Sequence, residues 1–229
     1  MISRRQLLYF SALALCCYPL ATLKSLALAN NWKKENLYPL TIEILKEAYW
    51  AEMIANKHYN EYCQKALSEN FPNIAYLFST LSISEKIHAD NYQKLIFSLG
   101  AKIETKELCV SLAETKKNLN TAALRELEKI NIFYPQIFKK LSSESHDHAV
   151  LNCMYSWKSH QQHEKMITDI KKYSGFFFRV LAKKIEKLNP NYFVCEICGS
   201  TIDEKPEKPC IICNYPKSHY KNLKRPILL

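Results

Sequence analysis

The feature that most constrains this chain is a metal-ligand residue set into each of four apolar helical stripes. Between about residue 37 and residue 189, four long segments repeat apolar residues at steps of three and four, the spacing that collects side chains on one helix face. The first stripe reads Leu45, Ala48, Glu52, Ala55 and Tyr59. The second reads Ile74, Phe78, Leu81, Glu85, His88, Tyr92, Leu95 and Leu99. Leu119, Ala123, Glu126, Ile130, Phe133 and Ile137 make the third, and Ala149, Cys153, Trp157, His160, His163, Ile167 and Ile170 the fourth. Glu52, Glu85, His88, Glu126, His160 and His163 therefore fall in seams that should be buried. An isolated buried carboxylate costs on the order of several kcal/mol unless it is paired or binds a metal, so the four helices call for one shared explanation. Position strengthens the case: Glu52 precedes Glu85 by 33 residues and Glu126 precedes His160 by 34. Two helix pairs thus repeat one arrangement, with a single ligand in the first helix and an i, i+3 pair in the second. A two-metal centre inside a four-helix bundle needs that pattern. Residues from about 101 to 117 would form the crossover between the halves, and Ser142 to Asp147 the shorter turn. Three glycines in 229 residues agree with a mainly helical chain.

A second signal is strictly local. CEICGSTIDEKPEKPCIIC, residues 195–213, holds two C-x-x-C pairs with eleven residues between them. One tight turn can aim two sulfurs at one ion, and the second pair completes a tetrahedral S4 shell from Cys195, Cys198, Cys210 and Cys213. Gly199 suits a turn with positive φ directly after Cys198. Tetrahedral S4 fits zinc and iron alike.

The first 29 residues have the character of an export signal: a basic start, an apolar stretch, and Ala27-Leu28-Ala29 before Asn30. SRRQLL, with Arg4 and Arg5 paired, is similar to the twin-arginine signal read by the machinery that exports folded proteins. Export to the periplasm is expected, or membrane anchoring if the leader is not cleaved. The formal charge is +10, and Arg4, Arg5 and Lys24 of the leader leave +7 for the rest. That excess is spread along helical faces, which reads as solvated surface and not as a nucleic-acid site. Cys63, Cys109 and Cys153 read as small core residues.

Together these segments resemble rubrerythrin, a ferritin-like di-iron four-helix bundle followed by a rubredoxin-like Fe(Cys)4 module. LKEAYWAEMIANKHY resembles the first ligand helix, with Glu52 as ligand and Tyr59 seven residues on. FSTLSISEKIHA resembles the first E-x-x-H helix. RELEKINIFYPQIF resembles the third helix, with Glu126 as ligand and Tyr134 before Pro135, and CEICG, PCIIC and NYP resemble the rubredoxin-like end, with one residue fewer between the pairs. The resemblance implies three parts: leader 1–29, di-iron bundle 30–189 and rubredoxin-like module 190–229. It implies two non-haem irons held by Glu52, Glu85, His88, Glu126, His160 and His163. Glu85 and one of Glu52 or Glu126 would bridge them. It favours iron in the four-cysteine site, with zinc possible there. Tyr59 and Tyr134 would either pack as core aromatics or donate their hydroxyls to the opposite carboxylates.

Two departures stand out. HQQH replaces the fourth helix's E-x-x-H, with His160 in the glutamate's place, and Lys129 stands where the family has a further glutamate. Lys129, three residues after Glu126, would either set an ammonium near the site, where it disfavours the oxidised centre, or reach toward solvent. Glu128 falls nearly opposite Glu126 on the helix. Trp50 and Trp157 are expected to pack, and His58, His146, His148 and His219 to lie on the surface or cap helices. The function implied is reduction of hydrogen peroxide to water, with electrons from an unidentified donor passing through Fe(Cys)4 and a head-to-tail homodimer as the assembly. The alternatives are a ferroxidase or iron-handling protein, and a non-enzymatic metal binder with a zinc ribbon.

Overall fold

A computed structural model describes residues 37–171 and 190–228. The leader and the stretch 172–189 of the fourth segment lie outside the described residues, as does the side chain of Ile170. The bundle opens with α1 (Pro39–Ser68) and α2 (Pro72–Ser98). Each begins at a proline, whose missing N–H costs nothing in a first turn. The hairpin between them turns on Asn70 at φ 62°, with Phe71 N–H donating to the Ala66 carbonyl at 2.8 Å. Residues 99–114 cross over to α3 (Thr115–Glu128). That helix runs through one π turn, Lys129–Phe133, into α4 (Tyr134–Leu141). A short turn leads to α5 (Asp147–Lys171). The third bundle helix is thus α3, the π turn and α4 in line, and the expected four-helix arrangement with its crossover is what the chain adopts.

The two halves tie each other's helix starts. Neither α1 nor α3 supplies a capping side chain from its own N-cap residue. Glu144, just past α4, instead accepts from Leu40 N–H at 3.0 Å and Thr41 N–H at 2.8 Å, while Glu69, just past α1, accepts from Thr115 N–H at 2.9 Å. Each carboxylate satisfies otherwise orphaned donors at the positive end of a helix dipole.

The π turn revises one expectation. Ile130 and Phe133 are only half-buried, and Tyr134 takes their place in the seam, fully buried ahead of Ile137. The cause is Pro135, which has no N–H to continue the backbone ladder. The register widens by one residue, so Tyr134 N–H reaches back to the Lys129 carbonyl. The Ile130 carbonyl accepts from Trp157 Nε1 at 3.0 Å. Two apolar clusters result, one around Tyr62, Phe78, Leu81 and Leu119, the other around Leu45, Tyr92, Ile96 and Ile137. The ligand residues lie along each helix between the two.

The C-terminal module is a small antiparallel sheet in which β1 (Phe193–Cys195) lies between β2 (Thr201–Ile202) and β3 (Tyr220–Asn222). It packs against α2 and α5: Tyr76 donates its hydroxyl to the Leu223 carbonyl at 2.6 Å, and Thr201 N–H donates to Gln162 at 3.0 Å. Among the described residues, no helix is long and apolar enough to cross a membrane.

Candidate metal centre

All six ligand-type residues of the bundle meet. Glu52, Glu85, His88, Glu126, His160 and His163 are each at most 1% exposed. They form two overlapping groups: Glu52, Glu85, His88 and His160 in one, Glu85, Glu126, His160 and His163 in the other, the ligand atoms of each group within 4.8 Å of one another. Glu85 and His160 belong to both. His160, standing where a glutamate was expected, faces two carboxylates, Nδ1 lying 2.7 Å from Glu126 Oε2 and Nε2 3.0 Å from Glu52 Oε1.

The tyrosines repeat the exchange made by the capping glutamates. Tyr59 of α1 donates its hydroxyl to Glu126, and Tyr134 of α4 donates to Glu52. Both roles open to them are realised, since each also packs in one of the two apolar clusters. Burial raises both phenols well above the ordinary tyrosine pKa, and the neighbouring carboxylates add to the rise, so each stays a donor. Tyr92 extends the line, its hydroxyl 3.0 Å from that of Tyr134 and donating to Ser156 at 2.8 Å.

Of the two places open to Lys129, the fold gives it the inner one. Its side chain turns inward, pairs with Glu52 Oε2 and lies 3.6 Å from Glu85 Oε2. Three buried carboxylates attract it more strongly than the short route to water. Burial opposes its charge, yet Glu52, Glu85 and Glu126 outweigh burial and hold its pKa above the usual lysine value. Burial likewise opposes the charge on Glu85, but Lys129 and His160 keep that carboxyl well below its ordinary value. Burial and Lys129 act against protonation of His160, while Glu85, Glu52 and Glu126 prevail and raise it to about 10. Glu128 is exposed, as its place on the helix implied. His58 is buried rather than on the surface, with Nδ1 2.9 Å from the Ile54 carbonyl, whereas His146 does cap a helix, accepting from Ala149 N–H at 3.2 Å.

The donor set suits metal. Imidazole and carboxylate together serve iron well. Glu85 Oε1 and His163 Nδ1 are buried without a hydrogen bond and face each other at 3.3 Å. Unsatisfied polar atoms of this kind are costly in a protein interior, and a shared cation would satisfy both.

The four module cysteines form a third group. Cys195 and Cys213 sulfurs lie 3.7 Å apart and those of Cys198 and Cys210 3.5 Å, close to the edge of about 3.8 Å that tetrahedral metal–sulfur bonding requires. Each C-x-x-C turn ends on a residue with positive φ, Gly199 at 76° and Asn214 at 60°. The first of these turns is pressed onto the bundle. His88 Nε2 is 3.1 Å from the Cys198 carbonyl, with its Nδ1 3.1 Å from Glu85 Oε2. Ser84 and Ser159 both donate to the Gly199 carbonyl, at 2.6 and 3.0 Å, and Asn91 donates to that of Ile197 at 2.7 Å. A Cβ on Gly199 would collide with His88 Nε2 and lie 2.8 Å from Ser84 Oγ. These contacts were not read from the sequence, where Gly199 signalled only a turn.

A ferritin-like bundle with a buried carboxylate and histidine centre, joined to a four-cysteine module, defines a class of metal-binding scaffold. The comparisons agree: the rubrerythrin family model matches residues 43–171, more than half the chain, and the chain belongs to the rubrerythrin family. Rubrerythrin-2 of Clostridium acetobutylicum is 26% identical over 192 residues, covering 80% of this chain and 96% of that protein. Among solved structures, nigerythrin in a mixed-valence state superposes with a TM-score of 0.68 at 22% identity, over 80% of this chain and 86% of that one. A bacterioferritin of Desulfovibrio desulfuricans, described with a diiron site, gives a TM-score of 0.58 at 20% identity, over 63% of this chain and 85% of its own.

Proposed function

We propose that this protein reduces hydrogen peroxide to water at the bundle centre, with two irons there and electrons supplied through iron in the four-cysteine module. The observation that carries the reading is His88, one ring nitrogen at Glu85 and the other at the Cys198 carbonyl. One ligand of the oxidising centre thereby touches a ligand residue of the electron carrier. Bound iron would supply the two electrons that, with two protons, convert one peroxide to two waters.

The chain's own residues would hold and shield that chemistry. Glu85 and His160, which belong to both groups, would serve both metal positions. Tyr59 and Tyr134 fix Glu126 and Glu52 without giving up their protons. A cavity of about 220 Å³ lies beside the centre, between α1 and the segment from the end of α3 through the π turn, lined by His58, Tyr59, Arg125, Lys129 and Phe133 among others. It is roomy for a molecule the size of peroxide, and Lys129, which lines it, also pairs with Glu52 of the centre.

Export of the folded, metal-loaded protein is part of the proposal, supported by Arg4-Arg5 and the apolar leader. So is a head-to-tail homodimer, in which the His88–Cys198 contact, made here within one chain, would be exchanged between two. The test is metal analysis with anaerobic peroxidase assay on protein from iron-supplied cells. Three irons per chain and catalytic peroxide loss are expected. Zinc alone, or iron accumulation with no catalytic peroxide loss, would overturn the reading.

A further inference from the structure

Lys129 makes the two halves of the bundle centre unlike. In the half formed by Glu52, Glu85, His88 and His160, its ammonium pairs with Glu52 Oε2 and lies 3.6 Å from Glu85 Oε2. The polar atoms around it already have partners: Glu52 Oε1 has Tyr134 and His160, Glu85 Oε2 has His88, and His88 Nε2 has the Cys198 carbonyl. In the half formed by Glu85, Glu126, His160 and His163 lie the two ligand atoms of the centre that are buried without a hydrogen bond, Glu85 Oε1 and His163 Nδ1, 3.3 Å apart. Among the described residues, the ion pairs of Lys129 are with Glu52 and Glu85 and not with Glu126.

Charge leads to the same division. Once bound metal has taken the place of any imidazole proton, three carboxylates are balanced by one ammonium and one divalent ion. A second divalent ion with the ammonium retained leaves an uncompensated double positive charge in a dry interior. The ammonium has somewhere to go, because Lys129 also lines the cavity of about 220 Å³ that opens beside the centre, together with the exposed Glu128.

Resting on the reading that the bundle binds metal, we infer that Lys129 is the resident cation of the Glu52 half. The first divalent metal then fills the His163 half tightly, and the second enters weakly by displacing the ammonium into the cavity. The centre loads in order, and its second metal is the labile one.

The experiment is anaerobic titration of metal-free, full-length protein with cobalt(II). Sulfur-to-cobalt absorption separates the four-cysteine site from the two nitrogen and oxygen sites. Wild type should take one equivalent tightly in the bundle and a second roughly 10–100-fold more weakly. Lys129→Met should tighten the second step about tenfold or more and by much more than it tightens the first, whereas Lys129→Arg, which keeps the charge, should behave like wild type. Circular dichroism confirms that each variant folds. His163→Gln should remove the tight step. Two equal steps in wild type, or no tightening in Lys129→Met, would overturn the inference while leaving the proposed function standing. A bundle that binds no cobalt in any variant would overturn both.

Discussion

The two metal-binding regions are built in opposite ways. The four-cysteine site takes its ligands from two turns within 19 consecutive residues, and backbone geometry at Gly199 and Asn214 aims them. The bundle centre takes its ligands from four helices, from Glu52 to His163, and side chains reaching across the fold aim them: Tyr59 to Glu126, Tyr134 to Glu52. A turn-built site depends on local conformation and tolerates distant change. A helix-built site depends on the packing of the whole bundle, and its charged groups depend on one another.

That contrast can be broken most sharply at Glu85, the carboxylate shared by both halves of the centre. Glu85→Ala should strip the bundle of metal and abolish peroxide turnover while the four-cysteine site still fills, as metal analysis and the sulfur-to-metal absorption would show. Loss of both sites together would mean that Glu85 is needed for the fold. Removing Glu52 tests the same dependence without metal. Its loss leaves the Lys129 ammonium short of a partner, and metal-free Glu52→Ala should lose about 3–5 kcal/mol in urea unfolding. If Lys129 is also changed to Met, much of that loss should return.

Gly199 joins the two regions and sharpens the comparison. Gly199→Ala should carry roughly 1–2 kcal/mol of backbone strain from its positive φ, and its new methyl should push the module off His88. Both metal sites should still fill, and electron transfer between them should slow. An unchanged transfer rate would show that the His88–Cys198 contact is not the route.

The smallest effect lies outside both sites. Burial slightly opposes the charge of Glu144, but hydrogen bonds from Thr41 and Leu40 lower its pKa below the ordinary glutamate value. A carboxylate with a depressed folded pKa contributes stability above its unfolded pKa, and the contribution disappears as pH falls through the folded value. Glu144→Gln should cost about 0.5–1 kcal/mol at neutral pH, given the part exposure of the cap, and nothing in acid. Urea unfolding across that range would show the difference closing toward low pH.

How much was legible in the sequence follows the same contrast. The four cysteine ligands could be read directly, because their geometry is set by neighbours in the chain. The bundle ligands could be read because helical periodicity put carboxylates and imidazoles where only apolar residues belong. Lys129 stayed open between site and solvent because spacing places a residue on a face but does not say whether opposite charge or water will claim a long side chain. Ile130 and Phe133 were misplaced because a one-residue π expansion at Pro135 shifts the stripe without disturbing the residue pattern. The seat of the module on His88 relies on the carbonyls of Ile197, Cys198 and Gly199, and a backbone acceptor carries no side-chain signal.

The most direct test of the proposed electron route is rapid mixing of the fully reduced, iron-loaded protein with hydrogen peroxide in the absence of oxygen, followed by the colour of ferric Fe(Cys)4. The bundle irons should be oxidised first, and the Fe(Cys)4 colour should then grow in as that module passes its electron across the His88–Cys198 contact. A bundle oxidised by peroxide beside a four-cysteine iron that stays ferrous would contradict the account.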